Sequence, residues 1–132
     1  MKGLQPYLNF DGTTRAAMTF YQQCLGGQLE MQTFAEGHQG DSDGVMHARL
    51  ATGPLVIMAS DRMKEHPFVQ GTNVYLNIDC ESVEEIDRLF GALGAGGTVS
   101  MPLQDTFWGA RFGMLTDPFG INWMFNCPKK PA

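Results

Sequence analysis

Of the three histidines only His47 falls on a predicted strand, in the run His47-Ala48-Arg49. In an extended segment residues i and i+2 share a face, so the imidazole of His47 and the guanidinium of Arg49 point the same way. Ala110-Arg111 repeats the Ala48-Arg49 pair later in the chain. Two readings stay open. In one, His47 is a hydrogen-bonded strand histidine and the arginines are rim ion pairs. In the other, Arg49 or Arg111 grips a carboxylate or phosphate bidentately, and His47 serves beside it as a general acid or base. His38 lies in a stretch rich in glycine and aspartate, and His66 precedes Pro67. Cys24, Cys80 and Cys127 are odd in number and widely spaced, so they make neither a disulfide framework nor a CxxC pair. Cys80 follows Asp79 at a strand-to-helix corner, where a helix N-terminus would acidify a thiol. Otherwise it is a small buried residue.

A second group is built from amides and aromatic rings. Gln5, Tyr7 and Asn9 alternate with Leu8 and Phe10, and Asn73, Tyr75 and Asn77 alternate with Val74, Leu76 and Ile78. One face of each strand is therefore apolar enough to pack under a helix. The other face is either plain solvent surface or the tyrosine-and-amide lining of a ligand site. Phe107-Trp108-Gly109 adds an aromatic pair in a loop, able to cover a flat ligand or to pack in the core.

These residues belong to a repeat. Pro6-Tyr7-Leu8-Asn9-Phe10-Asp11 and Val74-Tyr75-Leu76-Asn77-Ile78-Asp79 match at an offset of 75 − 7 = 68, and the same offset pairs Leu25-Gly26 with Leu93-Gly94. Later the offset drifts: Ala48-Arg49 aligns with Ala110-Arg111, and Thr52-x-Pro54 with Thr116-x-Pro118. An ordered series with drifting offset is the mark of a diverged duplication with loops of unequal length.

Each copy has the same grammar, a β-rich run followed by a helical pattern. Ala17, Met18, Tyr21, Cys24 and Leu25 mark one helix face in the first copy, with Thr13 or Thr14 as its cap and Gly26-Gly27 as its stop. In the second copy Ser82-Val83-Glu84-Glu85 has capping-box spacing, and Val83, Ile86, Leu89, Phe90 and Leu93 form the stripe. Three strands are predicted after each helix. They cover Gln28–Phe34, Val45–Thr52 and Leu55–Ser60 in copy one, and Thr98–Met101, Arg111–Thr116 and Ile121–Asn126 in copy two. The predicted fold is α+β, with two tandem βαβββ modules (1–61 and 72–127) forming a curved mixed sheet or half-barrel, a linker at 62–71, and a mobile loop at Glu36–Gly44.

Composition narrows the possible roles. With 132 residues, 43% apolar and 17% charged, the chain fits one folded domain and not a disordered one. A net charge of −5 without a basic run makes nucleic acid and anionic membrane poor partners. The N-terminal segment lacks a signal-peptide core, and no window has the 18 or so apolar residues of a membrane span. A reducing cytoplasm is the simplest location for three unpatterned cysteines.

Two tandem βαβββ units, with Asp117-Pro118-Phe119-Gly120 before the last strand, resemble the vicinal oxygen chelate superfamily of glyoxalase I, extradiol dioxygenases and bleomycin-resistance proteins. Pro6–Phe10, Phe20-Tyr21, Leu25-Gly26-Gly27, Met46–Leu50, Ser60-Asp61 and Met101–Gly109 look more narrowly like its PhnB-like branch, whose members carry a 3-demethylubiquinone-9 3-methyltransferase label. The resemblance implies the glyoxalase/bleomycin resistance/dioxygenase fold, and dimerisation to cover sheet edges. In metal-using members it implies four inward His or Glu ligands. The matching positions here hold Gln5, Met58, Asn73 and Met124. Two amides and two thioethers offer no charge to a divalent cation, so no metal and no cofactor is expected.

Gly94-Ala95-Gly96-Gly97 follows a helix and precedes a strand, the wrong context for a methyltransferase's cofactor loop. Two functions remain. One is a metal-free protein that binds a small aromatic or anionic molecule, lined by Gln5, Tyr7, Asn9, His47, Arg49, Met58, Ser60, Asn73, Tyr75, Asn77, Phe107, Trp108, Arg111 and Met124. The other is a glyoxalase- or dioxygenase-type enzyme using displaced ligands or His47 acid–base chemistry. If Phe107 and Trp108 cover the ligand, Trp108→Ala lowers ligand affinity more than His47→Ala, measured by titration calorimetry.

Overall fold

The computed structural model describes residues 1–35 and 44–129. The glycine- and aspartate-rich stretch predicted as a mobile loop, His38 included, lies outside them except for Gly44. The chain divides into two compact units, Met1–Val69 and Gln70–Ala132. Unit one contains β1 (Tyr7–Phe10), α1 (Thr14–Leu25), β2 (Gln28–Thr33), β3 (Val45–Thr52) and β4 (Leu55–Asp61). Unit two contains β5 (Leu76–Asp79), α2 (Val83–Gly94), β6 (Thr98–Asp105), β7 (Ala110–Thr116) and β8 (Asn122–Pro128). Each is a βαβββ module with a four-stranded mixed sheet, in the orders β1-β4-β3-β2 and β5-β8-β7-β6. The first strand of each module pairs in parallel with its last, and the remaining pairs are antiparallel.

The helices bury the stripes that their spacing predicts. Ala17, Met18, Tyr21 and Cys24 of α1 are buried, as are Ile86, Leu89, Phe90 and Leu93 of α2. Beneath them lie Phe10, Ala48, Leu50, Ile57 and Ala59 in the first sheet, and Leu115, Trp123 and Phe125 in the second. Val83, assigned to the α2 stripe from sequence, stands 39% exposed in the first turn.

The helix starts are built differently. In α2 the capping box forms: Ser82 Oγ accepts from the Glu85 amide at 3.0 Å. The Glu85 carboxylate in return accepts from the Glu81 amide at 3.0 Å, one residue ahead of the usual partner. In α1, Thr13 holds the cap position but its side chain makes no capping bond. The acceptor comes from β4. Asp61 Oδ1 accepts from the Gly12 amide (3.1 Å), the Thr14 amide (3.1 Å) and Thr14 Oγ (2.7 Å), and its Oδ2 accepts from the Val45 amide (2.8 Å). One buried carboxylate thus satisfies donors from a loop, a helix start and a strand start.

The helix-to-strand corners repeat between modules. Gly27 takes φ +97°, and a Cβ there would meet the Ala51 carbonyl oxygen. Gly97 occupies the equivalent corner, where a Cβ would meet the Thr116 carbonyl oxygen. The last turns differ: Gly53 and Pro54 alone join β3 to β4, whereas five residues, 117–121, join β7 to β8.

β6 runs to Asp105 instead of stopping before Pro102 as predicted. It is an edge strand with a register break between Met101 and Gln104. A proline there removes no ladder bond, so the usual breaker rule did not apply. Replacing Asp61 by Asn leaves amide hydrogens facing backbone donors; it lowers stability by about 3 kcal/mol, read as a reduced urea midpoint with an unchanged m-value.

Candidate functional site

In unit one, strand register brings six of the candidate residues onto the sheet face opposite α1. Tyr7 pairs with Met58, and Met58 with Arg49, whose β2 neighbour is Glu30. The adjacent row holds Asn9, Ser60, His47 and Gln32. The Tyr7 hydroxyl lies 3.1 Å from His47 Nδ1, with ring centroids 5.8 Å apart. Asn9 Nδ2 donates to the Ser60 carbonyl at 3.3 Å and stands 3.4 Å from Ser60 Oγ. Arg49 is exposed and makes no ion pair among the described residues, although Glu30 stands opposite it.

In unit two the corresponding face is richer in methionine. Asn77, Met124, Met114 and Met101 form one row; Asp79, Asn126, Phe112 and Gln104 form the next. Asp79 Oδ1 accepts from Asn77 Nδ2 at 3.1 Å and from Asn126 Nδ2 at 3.4 Å. Phe107 and Trp108 sit in the β6–β7 turn, 97% and 59% exposed, so they are not core rings. Trp108 packs edge-on to Phe107 at 5.1 Å and to Phe112 at 6.1 Å. Tyr75 is half-buried just before β5.

Three candidates stand apart from these faces. Gln5 and Asn73 precede the first strands and are exposed. Arg111 is not the positional counterpart of Arg49. It shares its row with Cys127 and Asp105, on the side of the sheet that packs against α2. Its guanidinium donates to Asp87 of α2 at 2.9 Å and approaches Asp105 at 3.6 Å. Those carboxylates push its pKa further up, the bond to Asp87 most strongly. Asp105 in turn is held below the usual carboxylate range, chiefly by its hydrogen bond from Lys129. By register, Arg49's place in unit two is taken by Met114. Register also shifts the parallel pair by two residues: Met58 faces Tyr7, while Met124 faces Asn77 and not Tyr75. The shift preserves the face but breaks strict equivalence of the repeat.

Glu30, Gln32, Phe112, Met101 and Met114 were not among the sequence candidates. The alternation Gln28-Leu29-Glu30-Met31-Gln32 held a signal for the first two. The others needed the strand register.

Cys80 is the reverse of an activated thiol. It is buried, and burial, followed by Glu85, Cys127 and Asp79, pushes its pKa from 9.0 up to about 11 against a smaller opposing effect of Arg88. Of the two readings of Cys80, the small buried residue is the one observed: burial and these carboxylates outweigh any acidification by the α2 N-terminus.

Among the described residues no three His, Cys, Asp or Glu side chains converge to hold a metal ion. The resemblance-implied positions fare no better as donors. Gln5 with Met58, and Asn73 with Met124, present carboxamides and thioethers, which do not fit a hard divalent cation.

Residues 3–125 match the model of the glyoxalase/bleomycin resistance protein/dioxygenase superfamily, and the chain belongs to that superfamily. It is 34% identical to Escherichia coli protein YjdN over 96% of both chains. The crystal structure of protein PA1353 from Pseudomonas aeruginosa superposes with a TM-score of 0.89 at 44% identity, covering 97% of this chain and 100% of that one. A Bacillus cereus PhnB protein, a candidate 3-demethylubiquinone-9 3-methyltransferase by name, superposes at 0.80 with 28% identity over 96% and 99% of the two chains. Within the superfamily, this likeness places the chain in the PhnB-like branch. No described helix is long and apolar enough to cross a membrane.

The raised thiol pKa gives a signed pH dependence. The folded state keeps the Cys80 proton to about pH 11, while the unfolded chain releases it near 9.0. The associated stability is therefore complete below pH 9 and lost as pH rises toward 11. Two pKa units correspond to about 3 kcal/mol. Urea unfolding between pH 8 and 11 shows this loss in the natural chain and a flatter profile in Cys80→Ala.

Proposed function

We propose that this protein binds a small organic molecule without a metal, on an open sheet face within a single module: in the first module the face that carries Tyr7, Asn9, His47, Arg49, Met58 and Ser60, and in the second, as a separate surface, the one that carries Asn77, Met124 and the Phe107–Trp108 pair. The observation that carries this reading is the replacement of all four implied metal ligands by Gln5, Met58, Asn73 and Met124, while each open face keeps aromatic, amide and thioether groups. Such a surface suits a flat or partly apolar ligand fixed by a few polar contacts. Membership of a superfamily named in part for bleomycin resistance is consistent with this role.

A second reading is acid–base catalysis, which the 3.1 Å contact of Tyr7 with His47 favours. A hydroxyl on Nδ1 fixes the imidazole's orientation and leaves Nε2 to face a ligand. The methyltransferase name of the Bacillus cereus relative is not carried over. Among the described residues the glycine turn at 94–97 leads out of α2 into β6, not from a strand into a helix, so no helix N-terminus receives a nucleoside cofactor from it.

The reading includes a cytoplasmic homodimer that covers exposed sheet edges. Native mass spectrometry of protein purified without chelator tests the whole statement at once. The expected species is a dimer with metal well below one ion per chain, which gains mass on addition of a bound small molecule. A stoichiometric transition metal overturns the metal-free reading, and a monomer at micromolar concentration overturns the dimer.

A further inference from the structure

Three cationic groups beside the sheets are held in ion pairs. Arg62 contacts Asp11 at 2.7 Å, Arg111 contacts Asp87 at 2.9 Å, and Lys129 contacts Asp105 at 2.8 Å. Arg49 differs. It projects from the middle of a sheet face, has no ion pair among the described residues, and lies two positions from His47 on the same face. Tyr7 engages His47 at Nδ1, so Nε2 is the nitrogen left for a ligand. Between Tyr7 and Arg49 in the same row stands Met58. Adjacent strands are about 4.8 Å apart, so the row Tyr7–Met58–Arg49 spans roughly 10 Å. It offers, in order, a phenol ring, a polarisable thioether and an unneutralised guanidinium.

We propose that this row is a seat for a small aromatic anion, its ring lying against Tyr7 and Met58 and its carboxylate or phosphoryl oxygens bound by Arg49 with His47 Nε2 beside them. This rests on the small-molecule reading above and names the ligand class. Glu30 is the one acidic group opposite Arg49 in the described register. It works against an anion there, which gives the proposal a sign that a generic polar surface would not have.

The test follows the side-chain nitrogens of Arg49 and His47 by ¹⁵N NMR while the full chain is titrated with benzoate, phenyl phosphate, benzyl alcohol and acetate. Benzoate or phenyl phosphate shifts both side chains saturably, and the tighter of the two assigns the seat to carboxylate or phosphoryl oxygen. Benzyl alcohol and acetate, each lacking one half of the ligand, bind at least about tenfold more weakly. Arg49→Gln weakens the aromatic anion by about tenfold or more, Arg49→Lys restores part of the loss, and Glu30→Gln strengthens binding. Both positions are exposed strand sites, and unchanged urea midpoints confirm that the variants fold. If benzyl alcohol binds as tightly as benzoate and Arg49→Gln changes nothing, the anion seat is wrong while small-molecule binding stands. If no probe moves Arg49 or His47, the seat is wrong, and co-purified ligand in the native mass spectrum decides separately whether the binding reading survives.

Discussion

The first module depends on one buried carboxylate. Asp61 ends β4 and receives four hydrogen bonds, from Gly12, from Thr14 twice and from Val45. The start of α1 has no local cap, so without Asp61 its first amides would be buried donors lacking acceptors. The same contacts fix where β3 begins and where β1 hands over to the helix. They therefore set the register that aligns Tyr7, Met58 and Arg49. The second module uses Asp117 in a related way. Its Oδ1 accepts from the Phe119 and Ile121 amides at 2.8 and 3.1 Å, and its Oδ2 accepts from the buried Trp123 indole at 2.8 Å. There the carboxylate fixes a turn and a core ring, and a Ser82–Glu85 box starts the helix.

The two open faces have diverged in chemistry while keeping the same frame. A row of tyrosine, methionine, arginine and glutamate in one module corresponds to asparagine and three methionines in the other. Duplication preserved what the core requires: the glycine corners at Gly27 and Gly97, the helical stripes, and the parallel pairing of first and last strands. It left the solvent-side positions free to specialise.

Much of this architecture was legible in the chain. Helices announce themselves through Ala17-Met18-Tyr21-Cys24 and Ile86-Leu89-Phe90-Leu93, because a buried stripe must recur at the helical period. The repeat of Tyr-Leu-Asn at 7 and 75 exposed the duplication. What stayed hidden depends on pairing between distant segments. The face of Arg111 is decided by the register of β7 against β8, where Gly113 must pass beneath Phe90; the local motif Ala-Arg carries no trace of that. Asp61 read as an ordinary strand end, since its partners lie 16 to 49 positions away in sequence. Cys80 shows the same limit: proximity to a helix start is visible in sequence, whereas burial beside Glu85 is not.

The contrast between the two helix starts bears on how the modules acquire their structure. The α2 cap lies within five consecutive residues, so that helix can be started as soon as its own first turn exists. The α1 cap lies 47 positions downstream of Thr14, and it arrives only when β4 has been synthesised and docked. Loop-closure entropy must be overcome before that carboxylate reaches the amides it serves. The start of α1 is thus tied to the docking of β4, whereas the start of α2 is closed by its own neighbours in sequence, although the finished topologies are the same.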